Sequence, residues 1–153
     1  MAIRRVVQLG DEVLRKKCFP VEKFDEKLWQ LLDDMKDTVL YEDGAGLAAP
    51  QVGVLRRAVV CSVEEGFFEF VNPRIISQKG EQSGVEGCLS VRGKYGTVSR
   101  PMKVKIVYQD RRGVEHTLVA KGFFARCICH ELDHLDGILY IDKASEVHAS
   151  SKG

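Results

Sequence analysis

The densest chemistry in the chain lies in His130-Glu131-Leu132-Asp133-His134. On a helix, two imidazoles four residues apart stand on one face. Their Cβ atoms are about 6 Å apart, close enough to share one metal ion. Glu131 leaves the helix about 100° round from His130. A carboxylate there sits beside such an ion and can work on a water. This is the H-E-x-x-H arrangement of metal-dependent hydrolases. Two half-exposed surface histidines with a solvated glutamate are the plain alternative, because patterns this short recur by chance.

A catalytic site of this type takes three protein ligands and keeps one position open. Gly137 continues the pattern H-E-x-x-H-x-x-G-x-x-H, but the last position is Tyr140, so that solution fails. Glu146 is the sole downstream glutamate, and it stands in a short tail. Cys127 shares the face of His130, yet it is seven residues from His134, a rise of about 10.5 Å. One ion cannot easily bond both at about 2.3 Å. Cys129 points off that face, and Cys18 and Cys61 stand in poor context. His116 and His148 read as surface histidines. Cys88 is the best third ligand. It follows Gly87 in Glu86-Gly87-Cys88-Leu89-Ser90, and the Leu89 N–H beside it is placed to meet an oxyanion. Upstream, Gly44-Ala45-Gly46-Leu47-Ala48-Ala49-Pro50-Gln51 reads in either of two ways. It is a tight connector, or a backbone that passes close to a ligand with Gln51 presenting its amide.

The elements that must position these residues follow from periodicity. Residues 3–9 read as an extended lead-in and 11–17 as a brief helix closed by Pro20. Asp25 is placed to cap a long helix to about Tyr41, with Leu28, Leu31, Leu32, Met35 and Val39 on its core face. Arg57–Val63 and Phe67–Val71 read as a hairpin. Asn72-Pro73 breaks it, and 74–78 reads as a further short strand. Residues 80–87 read as a loop or edge, and 93–96 as a turn. Val104–Tyr108 and Glu115–Ala120 read as strands about a turn at Asp110-Arg111-Arg112-Gly113. Gly122 opens the helix of His130 and Gly137 ends it. Residues 138–141 read as a short strand. The expected class is α+β, with short antiparallel sheets packed around the late helix and the early helix outside. Residues 1–143 are expected to form one domain, and 144–153 a polar, flexible tail.

Composition narrows the function. The chain has 153 residues, 23 basic and 22 acidic, a net charge of +1. That balance makes no electrostatic case for nucleic acid or an anionic membrane as partner. No apolar run approaches the roughly 18 residues that span a bilayer, and Val6–Asp11 is no signal core. Five cysteines without a C-x-x-C pair argue against a disulfide framework. The expected setting is cytoplasmic.

Three stretches together carry a resemblance. The segments 44–51, 86–90 and 130–137 resemble the three motifs of peptide deformylases in order and spacing, and the similarity runs to about Ile141. The resemblance implies removal of the formyl group from the N-terminal formyl-methionine of newly made polypeptides. It implies Cys88, His130 and His134 as metal ligands and Glu131 as general base and acid. The Leu89 N–H and the Gln51 amide would hold the oxyanion, and Gly46 would hydrogen-bond the substrate backbone. It implies Fe2+, with Zn2+, Ni2+ or Co2+ as substitutes; a thiolate with two imidazoles suits all four. Phe123 and Cys127, at i−7 and i−3 from His130, either line an apolar pocket for the methionine side chain or are plain core; the resemblance favours the pocket for Cys127. Arg92 stands where relatives often have Pro, and Ala45 where they have a bulkier residue. Some relatives dock on the ribosome with a C-terminal helix; the tail here shows no amphipathic period. A peptidase of ordinary peptide bonds and a closed structural metal site are the rival readings. The missing fourth ligand argues against the second.

Overall fold

The computed structural model describes residues 2–149. Helix α1 spans Glu26–Tyr41, and Asp25 caps it by accepting from the Leu28 N–H at 3.2 Å. Strands β1 (Gly46–Ala48), β2 (Ala58–Val63), β3 (Gly66–Lys79), β6 (Lys103–Gln109) and β7 (Glu115–Lys121) form one antiparallel sheet in the order β1-β2-β3-β6-β7. Strands β4 (Gln82–Cys88), β5 (Val91–Arg100) and β8 (Val147–Ala149) form a second, in the order β4-β5-β8. Helix α2 spans Phe123–Leu135.

Strand β2 shows how the larger sheet is covered. Val59 and Cys61 pack into the cluster that holds Phe124, Ala125, Ile128 and Leu132 of α2. Ala58 and Val60 pack into the cluster that holds Leu28, Leu31, Leu32 and Met35 of α1. Successive strand residues face opposite sides, so the two helices lie on opposite faces. This is why β2 reads as an unbroken apolar run. A third cluster, Leu14, Val91, Val98, Leu139 and Tyr140, joins the smaller sheet to the chain around α2.

Several expectations change. Asn72-Pro73 does not break the hairpin; β3 continues through it with a register shift between Val71 and Arg74. Pro73 lacks a donor and is tolerated at such a bulge. Asn72 takes a left-handed φ of 49°, and its side chain bonds the Val21 N–H, the Val21 carbonyl and Gln109. Residues 93–96 are not a turn but part of β5. Gly96 is needed because a Cβ there would lie 2.5 Å from the Glu146 carbonyl. Residues 138–141 are not a strand; a 3-10 turn at Tyr140–Asp142 replaces it, capped by Asp142 accepting from the Leu139 N–H at 2.9 Å. Within the expected tail, Val147–Ala149 pairs with β5. The part of that tail beyond residue 149 lies outside the described residues. Among the described residues, no helix is long and apolar enough to cross a membrane.

Gly137 lets the chain leave α2. Its φ is 75°, and a Cβ would lie 2.5 Å from the Arg15 carbonyl. Backbone cannot step aside cheaply, so Gly137→Ala is expected to cost about 2 kcal/mol or more. Urea unfolding of the variant measures it, and an unchanged midpoint would contradict this packing.

Candidate metal centre

Three elements converge on one point. Cys88 ends β4, and His130 and His134 project from α2 one turn apart. One ligand atom from each lies within 4.8 Å of the others. Cys88 Sγ is 3.4 Å from His134 Nε2. A register shift between Glu86 and Cys88 marks a bulge at the strand end, the kind of irregularity that re-aims a side chain.

The placement rests on a match of repeats. Two residues along a strand advance about 6.7 Å; four along a helix advance about 6 Å. Gly84, Glu86 and Cys88 therefore meet Arg126, His130 and His134 in turn. A Cβ on Gly84 would lie 2.9 Å from Arg126 Nη2, and Glu86 Oε1 is 2.8 Å from His130 Nδ1. A carboxylate only accepts, so His130 Nδ1 carries a proton, which leaves Nε2 as the nitrogen that can bind an ion.

Glu86 is the hub. Its side chain is 4% exposed. It accepts from Arg100 Nε at 3.0 Å and Nη2 at 2.9 Å, and from Arg126 Nη1 at 2.5 Å. Arg100 reaches on to Asp133 at 2.6 Å. Burial alone would raise the Glu86 carboxyl; the hydrogen bonds from Arg100 and His130, with their charges, outweigh it and hold it down at about 2. Burial pushes Glu131 up to about 7, with the His130 charge pulling against it. Burial also works to lower His130, but the Glu131, Cys88 and Glu86 groups push it well above the usual range. Burial and the His130 charge push His134 well below it.

A cavity of about 360 Å³ opens beside these ligands. Gly46, Gln51, Cys88, Leu89, Phe123, Cys127, His130 and Glu131 all line it. His134 is not part of that lining but contacts it through Cys88 Sγ. Every site residue expected from the sequence is thus gathered here. Gln51 is buried, with Oε1 accepting from the Ala48 N–H at 2.9 Å and Nε2 donating to Ser90 Oγ at 3.0 Å and Cys88 Sγ at 3.5 Å. The extended N-terminal segment ties both sides down. Val7 N–H donates to the Gln51 carbonyl, Leu9 N–H to the Ser90 carbonyl, and Gln8 Nε2 to the Leu89 carbonyl. Glu86, Ser90, Gln8, Arg100 and Arg126 were not singled out by sequence reasoning. Only Glu86 carried a signal, two residues before Cys88 on the same strand face.

The donor set of one sulfur and two imidazole nitrogens fits a divalent first-row ion. Glu131 Oε1 is buried and has no partner among the described residues, as suits a carboxylate that works on a water or substrate atom. Fold and site together define a hydrolase of the H-E-x-x-H class. A family model described as "Polypeptide deformylase" matches residues 3–150. A peptide deformylase from Caldicellulosiruptor bescii is 57% identical over 143 residues, 94% of this chain and 86% of the relative. One from Thermoanaerobacter pseudethanolicus is 53% identical over 144 residues, 94% and 91% of the two chains. The crystal structure of peptide deformylase from Thermotoga maritima superimposes with a TM-score of 0.93 at 39% identity, covering 95% of this chain and all of that one. The chain belongs to the peptide deformylase family. These metal-dependent enzymes remove the N-formyl group from nascent polypeptides, and that is the activity of this chain.

Two outcomes follow from the geometry. A Cβ on Gly46 would lie 2.5 Å from Glu131 Oε2 and 2.9 Å from Cys127 Sγ. Gly46→Ala is therefore expected to lower kcat/KM by roughly 100-fold, as a misplaced reacting group does, while ion content by elemental analysis stays that of the parent. Glu86→Gln loses the charge that orients His130. It is expected to weaken ion retention by roughly 10–100-fold in a competition titration with a chelator.

Proposed function

We propose that residues 2–149 act as one deformylase domain, with α2 as the helix around which the site is built and α1 as the outer support. Cys88, His130 and His134 hold one divalent ion, Fe2+ in the native enzyme, with Zn2+, Ni2+ or Co2+ able to take its place. The single observation that carries this reading is the meeting of Cys88, His130 and His134 within 4.8 Å beside the buried Glu131. When bound, the ion supplies Lewis-acid activation of a water and of the formyl oxygen.

The residues do the rest. Gly46 on β1 holds the substrate backbone alongside the site. Glu131 takes the proton of the attacking water; burial, which raises its affinity for protons, makes it a competent base near neutral pH. Oxygen attacks the formyl carbon, and charge gathers on the formyl oxygen. The Leu89 N–H and the Gln51 Nε2–H donate to it there. Gln51 is already held by Ala48 and Ser90, which aims its second Nε2–H at the Cys88 side of the cavity. Glu131 then returns its proton to the leaving amine, giving formate and a free N-terminus. The apolar wall at Phe123 and Cys127 receives the methionine side chain. The substrate is a chain still being made, which places the enzyme in the cytoplasm, near the ribosome exit. No ribosomal docking element is assigned to it.

The test is formate release from a formyl-methionyl tripeptide by protein loaded anaerobically with Fe2+. Glu131→Ala is expected to lose activity by roughly 100–10,000-fold while keeping its ion. Equal turnover in parent and variant would remove Glu131 from the mechanism. Silence from the loaded parent would remove the site.

A further inference from the structure

Leu89 and Ser90 form the turn between β4 and β5, with Cys88 and Val91 paired across its base. Two-residue hairpin turns that match the twist of their strands put a positive φ at one or both positions. Leu89 and Ser90 have none; among the described residues other than glycine, Asp43 and Asn72 alone take positive φ. The local sequence therefore does not fix the shape of this turn. Turn types I and II differ by a flip of the central peptide, here the one that joins the Leu89 carbonyl to the Ser90 N–H. Contacts from elsewhere hold that peptide. Gln8 Nε2 donates to the Leu89 carbonyl at 2.9 Å, across 81 residues of chain, and to the Val6 carbonyl at 3.2 Å. Both neighbours are acceptors, so the amide nitrogen must face them. On the other side of the same peptide, the Ser90 N–H donates to Cys88 Sγ at 3.5 Å. The buried Ser90 Oγ accepts from Gln51 Nε2 at 3.0 Å. Gln8 is not among the residues that line the cavity beside Cys88 and Glu131, so its influence there passes through the turn.

We propose that Gln8 is a positioning residue for the reaction, holding the Leu89–Ser90 peptide in the one orientation that keeps both oxyanion donors in place. This rests on the deformylase reading given above, in which the Leu89 N–H and the Gln51 Nε2–H meet the charge on the formyl oxygen. With its carbonyl pinned, the turn peptide cannot flip. Ser90 then stays under Gln51, and Leu89 stays beside Cys88. Donors of this kind work because they stand ready before charge develops, and removing one outright costs about 100–1,000-fold in kcat. Loosening both costs less than losing one. The formyl oxygen gains its charge only in the transition state, so the loss falls on the chemical step and not on substrate binding.

The test uses Gln8→Met, which keeps the length of the side chain and loses the donor. With protein loaded anaerobically with Fe2+ and formyl-Met-Ala-Ser as substrate, kcat is expected to fall by about 10-fold with KM unchanged. That split marks an interaction made only in the transition state. Gln8→Lys keeps a donor on an unbranched stem and should keep the parent kcat. In Zn2+-loaded protein, nitrogen relaxation dispersion at the Ser90 amide reads exchange on the μs–ms scale. It should be absent in the parent and in Gln8→Lys and present in Gln8→Met. A role in stability alone would lower the unfolding midpoint and leave kcat and the Ser90 signal as in the parent. Parental kcat in Gln8→Met, a raised KM at constant kcat, or a Ser90 amide without exchange each overturns the role of Gln8 while the deformylase reading stands. Silence from the loaded parent is the separate failure of that reading, and it takes the catalytic role of Gln8 with it.

Discussion

A carboxylate taken out of water must find partners or give up its charge. Glu86 keeps its charge by gathering three cationic or donor groups from two elements: Arg100 from β5, with Arg126 and His130 from α2. The small sheet and the helix cannot separate without leaving an unpaired ion in the interior. Breaking one member of a buried pair typically costs about 3–5 kcal/mol, so the ring of contacts fixes how β4 sits on α2. The candidate metal ligands inherit that placement. Cys88 lies two residues beyond Glu86 and His134 four beyond His130. Docking one pair sets the next.

The same clasp serves chemistry twice. It orients His130 by holding Nδ1, and it fixes Arg126 in the cavity wall. Glu131 lies on the other side of the ligand pair, next to Gly46, in a dry setting that keeps its affinity for protons high. Two carboxylates about one helix are thus pushed apart in character, one held as an anion and one poised to exchange a proton. That division is what an acid–base site requires.

Much of this was readable from the chain. The long helix declares itself by its Asp25 cap and leucine spacing. The metal helix declares itself by its paired histidines, and Cys88 emerges once the other candidates fail on distance, direction or context. What stayed hidden depended on contacts far apart in sequence. Asn72-Pro73 looks like a break because a proline cannot donate, yet the Asn72 side chain bonds Val21 and Gln109 and lets the strand continue. Gly93 and Gly96 look like a turn, but Gly96 serves a close approach by Glu146. Arg126 and Gly84 carry no motif; each makes sense only beside the other. Gln8 stitches a segment to Leu89 that nothing local foretells.

The contact between Glu86 and His130 spans 44 residues of chain, with β5, β6 and β7 made in between. Such a long closure carries an entropy penalty that local contacts do not repay. The ligand set therefore depends on the large sheet that carries the chain back to α2 over β1 and β2. Before that closure His130 and His134 stand on α2 without the thiol of Cys88. The Cys88–His130–His134 cluster exists only where that closure has been made, so an ion held there would bridge its two ends and act as a clamp between β4 and α2.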